Sequence, residues 1–212
     1  MKIKWLGHSC FLLTSSDGVR LAIDPFNEAV GYKVPDEEAD IVTTSHDHFD
    51  HNYIQAIKGK FKHINKPGRY SEKGIGILGI PTFHDEAKGA KRGQNIVFKY
   101  TIDGINVCHC GDLGHPLTAG QAKELGPVDV LLVPVGGFYT IDPTEAAGVV
   151  NMLQPTVIIP MHFKTPVIEF PIVGVDEFLA KMGGGKKLGA QELELTGANL
   201  ASFAGVVVLD FA

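Results

Sequence analysis

The sequence predicts an α/β fold in which sheet layers are covered by helices, and three observations predict it. The first is a hairpin start: strand-like runs at residues 2–6, 10–14 and 19–23, the last two joined at Asp17-Gly18, a dipeptide suited to a tight turn between strands. The second is that apolar runs at 41–44, 75–80, 96–100, 105–110, 130–135 and 156–160 then alternate with stretches of helical pattern. The third is a set of readable helix starts and stops.

Taken in order, Asp24-Pro25 closes the opening strands, and a helix is expected to begin near Asn52. Thr118 with Gln121 three residues on resembles a capping box. Asp142 as N-cap, Pro143 at the first helical position and Glu145 three after the cap make a stronger one. That helix should run to about Leu153, with Pro155 beyond it. A further helix is expected at 175–182, ended by Gly183-Gly184-Gly185, and strands at 192–195 and 206–209. Sequence alone leaves the packing of two sheets open.

The 212 residues suit one domain spanning 1–212. With 44% hydrophobic and 20% charged residues, a core forms without disulfides or a structural metal. A net charge of -5 argues against a general nucleic-acid binder, which would lean basic. Three cysteines, Cys10, Cys108 and Cys110, form no disulfide framework. Cys108-His109-Cys110 offers ligand atoms, but buried free thiols are the commoner use of such residues. No stretch has the length of a membrane span and the N-terminus lacks a leader's apolar run, so a cytoplasmic protein is expected.

The chemistry concentrates at His46-Asp47-His48-Phe49-Asp50-His51. Imidazole and carboxylate ligate zinc and related divalent ions. Four such groups in six residues do not suit a core, where each would demand a polar partner. Alternation puts His46 and His48 on one side of an extended segment, while Asp50 and His51 turn to another as the chain bends, so one loop serves two metals. Position strengthens this. His46, His84, Asp112 and His162 each lie just past the end of a predicted strand, the edge at which ligands bind in open α/β sheets.

This pattern resembles the hallmark motif of the metallo-β-lactamase superfamily. The likeness extends over nearly the whole chain, through Gly7-His8-Ser9, Ile23-Asp24-Pro25, Cys110-Gly111-Asp112 and Pro160-Met161-His162. Within the superfamily the chain looks most like small metal-dependent hydrolases near ascorbate-phosphate lactonase and N-acyl-phosphatidylethanolamine phospholipase D. The resemblance implies a four-layer αββα sandwich with the site at one edge of the two sheets. It implies that His46, His48 and His84 hold one metal, that Asp50, His51 and His162 hold a second, and that Asp112 bridges them. Zinc is the first choice, and manganese or iron suits the same ligands. It further implies a bridging hydroxide that cleaves a small lactone, ester or phosphodiester, with Asp50 orienting the nucleophile.

Other residues divide between site and scaffold. Asp24 is expected behind the metals, bonded to a ligand histidine. His8 either lines the pocket floor or is structural. His115 is a catalytic candidate, as donor to a leaving group, or else a solvated loop residue. Tyr139 either donates to an oxyanion or packs. Lys91-Arg92 either attracts an anionic substrate or is a solvated charge pair, and Lys164 is weighed in the same way. His63 and His109 read as bystanders. Two other functions share these motifs. An RNA-processing nuclease would carry the same ligands, against the acidic balance. A non-catalytic metal- or metabolite-binding module would be expected to lose ligands, whereas all seven positions are filled here. The partner expected is a small-molecule substrate, and the oligomeric state is left open.

Overall fold

The computed structural model describes residues 1–211. Elements are numbered in chain order. The first sheet contains β1 (Lys2–Gly7), β2 (Cys10–Thr14), β3 (Arg20–Ile23), β4 (Ile41–Thr43), β5 (Lys62–Ile64) and β13 (Glu192–Glu194). Its order is β13-β1-β2-β3-β4-β5, antiparallel from β13 to β3 and parallel from β3 to β5. The β2–β3 hairpin closes through Asp17-Gly18 as its sequence requires, with Ser15 N donating to Val19 O at 2.9 Å.

The second sheet contains β6 (Gly68–Glu72), β7 (Ile75–Phe83), β8 (Gln94–Ile102), β9 (Ile105–His109), β10 (Val130–Pro134), β11 (Val157–Met161), β12 (Lys186–Lys187) and β14 (Gly205–Val208). Its order is β12-β14-β11-β10-β9-β8-β7-β6. The β6-to-β9 half is antiparallel, and the remainder is parallel.

Side-chain alternation explains the layering. Phe11, Leu13, Leu21, Ile23 and Ile41 point from the first sheet into the main core, which it shares with the second. Their neighbours Cys10, Leu12, Ala22 and Val42 point the other way, into a smaller core with Phe26, Val30 and Ile57. On the second sheet β10 is buried at every position, as expected of a central parallel strand. Its outer face is covered by α2 (Pro143–Leu153) and α3 (Val175–Met182), through Ala146, Val149 and Phe178.

The sandwich is therefore the αββα architecture, with one outer layer thinned. Over the first sheet that layer consists of short 3₁₀ turns at Glu28–Val30 and Ile54–Ala56 plus loop residues such as Ile168 and Ile172. The helix expected near Asn52 is only the second of these turns. Both capping boxes form as read, at Thr118 before α1 (Ala119–Leu125) and at Asp142 before α2. Strands β5 and β6 escaped the sequence reading because they are edge strands. Edges carry charges and mix exposed with half-buried positions, so apolar periodicity does not mark them. Strand β7 continues three residues past the expected end, with Pro81, which lacks an N–H to donate, still within the ladder. Among the described residues no helix is long and apolar enough to cross a membrane.

Candidate metal centre

The two sheets meet at one edge, where Ser45 O accepts from Ile96 N at 2.9 Å. There β4 ends before His46, β7 before His84, β9 before Asp112 and β11 before His162. The loop after β4 turns back on itself, with His51 N and Asn52 N both donating to His48 O at 2.9 Å. That turn brings His51 back against His46, their ring centroids 4.3 Å apart, and sets Asp50 beside His8.

The donors gather into overlapping groups. His46, His48 and His84 form one. His8, Asp50, His51 and His162 form another, and His46, His51 and Asp112 join the two. Within each group the ligand atoms lie within 4.8 Å of one another. Asp112 is central: its carboxylate lies 3.2 Å from His51 Nε2, 3.2 Å from His84 Nε2 and 3.4 Å from His162 Nε2. Six of the seven expected ligands, all but His48, have a buried nitrogen or oxygen with no hydrogen-bond partner: His46 Nε2, Asp50 Oδ1, His51 Nε2, His84 Nδ1, Asp112 Oδ1 and His162 Nδ1. Buried polar atoms are rarely left so. Ligand atoms converging from four strand ends, with His46 Nε2, Asp50 Oδ1, His51 Nε2 and Asp112 Oδ1 among them buried and unsatisfied, are what divalent ions would satisfy, so this donor set fits a metal centre; on His84 and His162 it is Nε2 that faces Asp112 and Nδ1 that is left over.

The protein holds these groups by a buried hydrogen-bond system. Asp24 is fully buried, in the left-handed region at φ 46°, just after β3. It accepts from Ser45 N at 2.8 Å, Ser45 Oγ at 2.6 Å and His51 Nδ1 at 2.9 Å. Ser45 Oγ, having donated to Asp24, accepts from His46 Nδ1 at 2.9 Å. One carboxylate thus places the proton of both His46 and His51 on Nδ1 and leaves both Nε2 lone pairs facing the centre. Burial would raise the Asp24 carboxyl, but its bonds to His51 and Ser45 hold it below its ordinary value. Burial also opposes charge on Asp112, and His162 and His51 beside it hold its carboxyl well below the usual range.

Asn95 performs a similar service for Asp112. Its Oδ1 accepts from Asp112 N at 3.0 Å, while its Nδ2 donates to Thr82 Oγ1 at 2.8 Å and Cys110 O at 3.0 Å. Gly111 has φ 55°, and a Cβ there would meet Asn95 Oδ1 at 2.4 Å and Ser45 Cβ at 2.6 Å. Only glycine fits.

The remaining sequence candidates separate clearly. His8 is fully buried in the left-handed region at φ 52°, its Nε2 3.4 Å from Asp50 Oδ2 and its ring 4.1 Å from that of His162. It therefore belongs to the centre, and burial among these histidines lowers it to about 4. His109, read as a bystander, is no ligand but is structural: its Nε2 donates to Ser9 O at 2.8 Å and its Nδ1 accepts from Gly111 N at 3.0 Å. His63 bonds Thr44 Oγ1 at 3.0 Å. The three cysteines are buried and free. His115 does not fit the expected proton donor. Its Nδ1 donates to Pro116 O at 2.8 Å, its Nε2 accepts from Phe83 N at 3.2 Å, and it lines neither of the cavities at the centre.

Those cavities adjoin. One, of about 250 Å³, reaches Asp50, His84 and Asp112 and is walled by Phe49, Tyr139 and Phe170. The other, of about 420 Å³, runs past His46 toward Asn65 and Lys66. His48 and Arg92 line both. The Lys91-Arg92 pair is split: Lys91 pairs with Glu86, whereas Arg92 lies over the Tyr139 ring, 5.5 Å from its centroid. Lys164 donates to Phe170 O at 3.0 Å and so fastens the loop bearing Phe170. Sequence reasoning missed Asp85, which accepts from the backbone of Ala87, Gly89, Lys91 and Arg92, and Asn95. An Asp directly after a ligand, heading a glycine-bearing loop, was the available signal for the first.

Comparison with known proteins gives a consistent result. Residues 2–162 match the family model described as "Beta-lactamase superfamily domain". A metal-dependent hydrolase of Thermococcus kodakarensis is 30% identical over 201 residues, covering 81% of this chain and 89% of the relative. A Thermotoga maritima structure, assigned as a Zn-dependent hydrolase of the metallo-β-lactamase superfamily, is 43% identical with TM-score 0.84, covering 100% of this chain and 99% of that one. A metallo hydrolase of Ignicoccus hospitalis shares the fold at TM-score 0.68 and 24% identity, covering 99% of this chain and 94% of that one.

Proposed function

Because the chain belongs to the metallo-β-lactamase superfamily and is a metal-dependent hydrolase, we propose that it cleaves a small lactone, ester or phosphodiester at a dinuclear centre, with zinc the first choice of metal. His46, His48 and His84 would hold one ion, and Asp50, His51 and His162 the other, with Asp112 shared between them. The observation that carries this is the convergence of histidine and carboxylate ligand atoms at the ends of four strands, several of them buried without a partner. Two ions held there would supply a water ionised near neutral pH and Lewis acidity toward a developing oxyanion.

The chain's own residues do the rest. Asp24 keeps His46 and His51 in the tautomer that exposes Nε2. Asn95 holds the backbone of Asp112. His8 Nε2, facing Asp50 Oδ2, fixes the rotamer of the carboxylate that would orient the attacking water. Phe49, Tyr139 and Phe170 give the smaller cavity an apolar wall against which the non-reacting part of a substrate would pack. The core cluster takes in residues from Met1 to Leu209, which supports one domain over 1–212. The buried free thiols support a reducing, cytoplasmic setting.

The test is a panel of lactones, esters and an activated phosphodiester, assayed with zinc- or manganese-loaded protein whose metal content is measured. Two metals per chain and turnover of one substrate class, lost in Asp50→Ala, are the expected outcome. Full turnover in Asp50→Ala would overturn the role given to that carboxylate. Absence of turnover by fully loaded protein on every class would favour a binding module.

A further inference from the structure

Arg92 stands apart from the other cations around the centre. Its backbone is fixed, since Asp85 accepts four N–H groups of the loop: Ala87 at 2.8 Å, Gly89 at 2.9 Å, Lys91 at 3.0 Å and Arg92 itself at 2.7 Å. The loop is closed again by His84 N to Gly93 O at 3.1 Å and Gly93 N to Gly89 O at 3.0 Å. The guanidinium then lies over Tyr139, 5.5 Å from the ring centroid. An arginine stacked in this way keeps its in-plane donors available for an oxyanion. Lys91 beside it is paired with Glu86, whereas Arg92 has no ion-pair partner among the described residues; Lys66 in the larger cavity has none either, but of the two only Arg92 reaches both cavities. It is half-buried and lines both cavities. In a chain of net charge -5, a fixed unpaired cation at the mouth of an active site is a local feature and not the general charge of the surface.

Beside it the wall is apolar. Tyr139 and Phe170 meet edge to face with centroids 6.0 Å apart, and Phe170 rests 5.8 Å from the His8 ring. Phe49, 51% exposed, stands at the entrance. Lys66 adds a second positive group in the larger cavity and Asp47 a negative one, the latter bonded to Asn52 Nδ2 at 2.5 Å.

We propose that Arg92 is a specificity-determining residue that binds an oxyanion, carboxylate or phosphate, carried by the substrate away from the scissile bond, while an apolar part of the same molecule packs on Tyr139 and Phe170. The proposal deepens the hydrolase reading above and rests on it for the identity of the reacting group, but the binding preference is measurable without turnover. A charge-assisted hydrogen bond of this kind supports a preference of roughly 10- to 100-fold for an anion over its neutral analogue.

The experiment is calorimetric titration of metal-loaded protein with benzenesulfonate, whose oxyanion ligates metals weakly, and with neutral methyl phenyl sulfone. Wild-type protein should prefer the sulfonate by that factor. Arg92→Gln should bring the two ligands close to parity, Arg92→Lys should keep part of the preference, and Lys91→Gln should keep all of it. Equal binding of both ligands by wild-type protein overturns the proposal. So does an equal loss of preference in Lys91→Gln and Arg92→Gln, since the effect would then come from the general field of the loop. A preference that follows Arg92 in a protein without turnover on any ester or phosphodiester would remove the hydrolase reading and leave the anion site standing.

Discussion

Asp24→Asn is the most informative single change, because it keeps shape and volume while altering one proton. Asparagine retains one oxygen, which can go on accepting from Ser45 N, but it places an NH2 where Asp24 Oδ2 now accepts from Ser45 Oγ and His51 Nδ1. Two donors would then face each other at His51. The cheapest relief is for His51 to move its proton to Nε2, leaving Nδ1 as an acceptor, which removes the lone pair directed at Asp112 and Asp50. Ser45 Oγ also loses its strongest acceptor and no longer fixes His46. Loss of such a supporting partner typically lowers metal affinity by roughly 10- to 100-fold, or about 1.4–2.7 kcal/mol by the usual conversion. Loss of a buried hydrogen bond to a charged group lowers metal-free stability by about 1.5–3 kcal/mol. Zinc affinity measured by chelator competition, urea unfolding of the metal-free protein and nitrogen NMR of the His51 ring read the three effects separately. Wild-type zinc affinity in the variant, with His51 still protonated on Nδ1, would refute the reasoning.

Four further outcomes are expected. Gly111→Ala forces a Cβ against Asn95 Oδ1 and Ser45 Cβ at a positive φ; it should destabilise the protein by about 1–3 kcal/mol in urea unfolding and lower turnover together with stability. Leu132→Ala on β10 opens a cavity in a fully buried strand; it should lower the unfolding free energy by about 2–5 kcal/mol, read as a lower urea midpoint at unchanged slope. Asp40 is held below its ordinary value by the Arg20 N–H and the Lys73 ammonium. Its contribution is therefore present above an unfolded pKa of about 3.9 and lost as the pH falls through the lower folded value. Asp40→Asn should flatten the stability profile below that point and slightly lower stability at neutral pH, as unfolding across a pH series would report. Finally, stripping metals with a chelator should lower Tm by roughly 5–10 °C for each ion held, from about 2.7 kcal/mol of binding per ion at 100-fold excess over Kd and roughly 2–4 °C per kcal/mol for a chain of this size.

Much of the fold was legible in the sequence because its elements announce themselves locally. Strand β10 is continuously apolar, Asp142-Pro143 starts α2 within three residues, and Asp17-Gly18 turns the β2–β3 hairpin. The His46-to-His51 run was visible for the same reason. What stayed hidden depends on distant neighbours. Asn95 matters only because β8 carries it beside Asp112, and His109 because Ser9 lies one hundred residues away. His115 looked chemical from its distance in sequence to Asp112, but the chain turns and gives both its nitrogens to backbone groups. Arg92 and Lys91 are alike in sequence and differ only in what the fold places opposite them.

The pairing of β1 with β13, Lys2 opposite Glu194, has a consequence for biosynthesis. Strand β1 is synthesised long before β13, the strand that completes its edge. At roughly 5–20 residues per second, about 190 residues of translation keep one edge of β1 open for roughly 10–40 s. Open edges are templates for unwanted association. Here Lys2 and Lys4 alternate along that edge and come to face Glu194 and Glu192 only when β13 arrives; Lys2 then takes Glu192 as its ion-pair partner, while Lys4 pairs with Glu37. Replacing both lysines with threonine should therefore raise aggregation during synthesis far more than it lowers the equilibrium stability of the finished protein. Equal soluble yield from the two sequences in cell-free translation would show that the waiting edge needs no such protection.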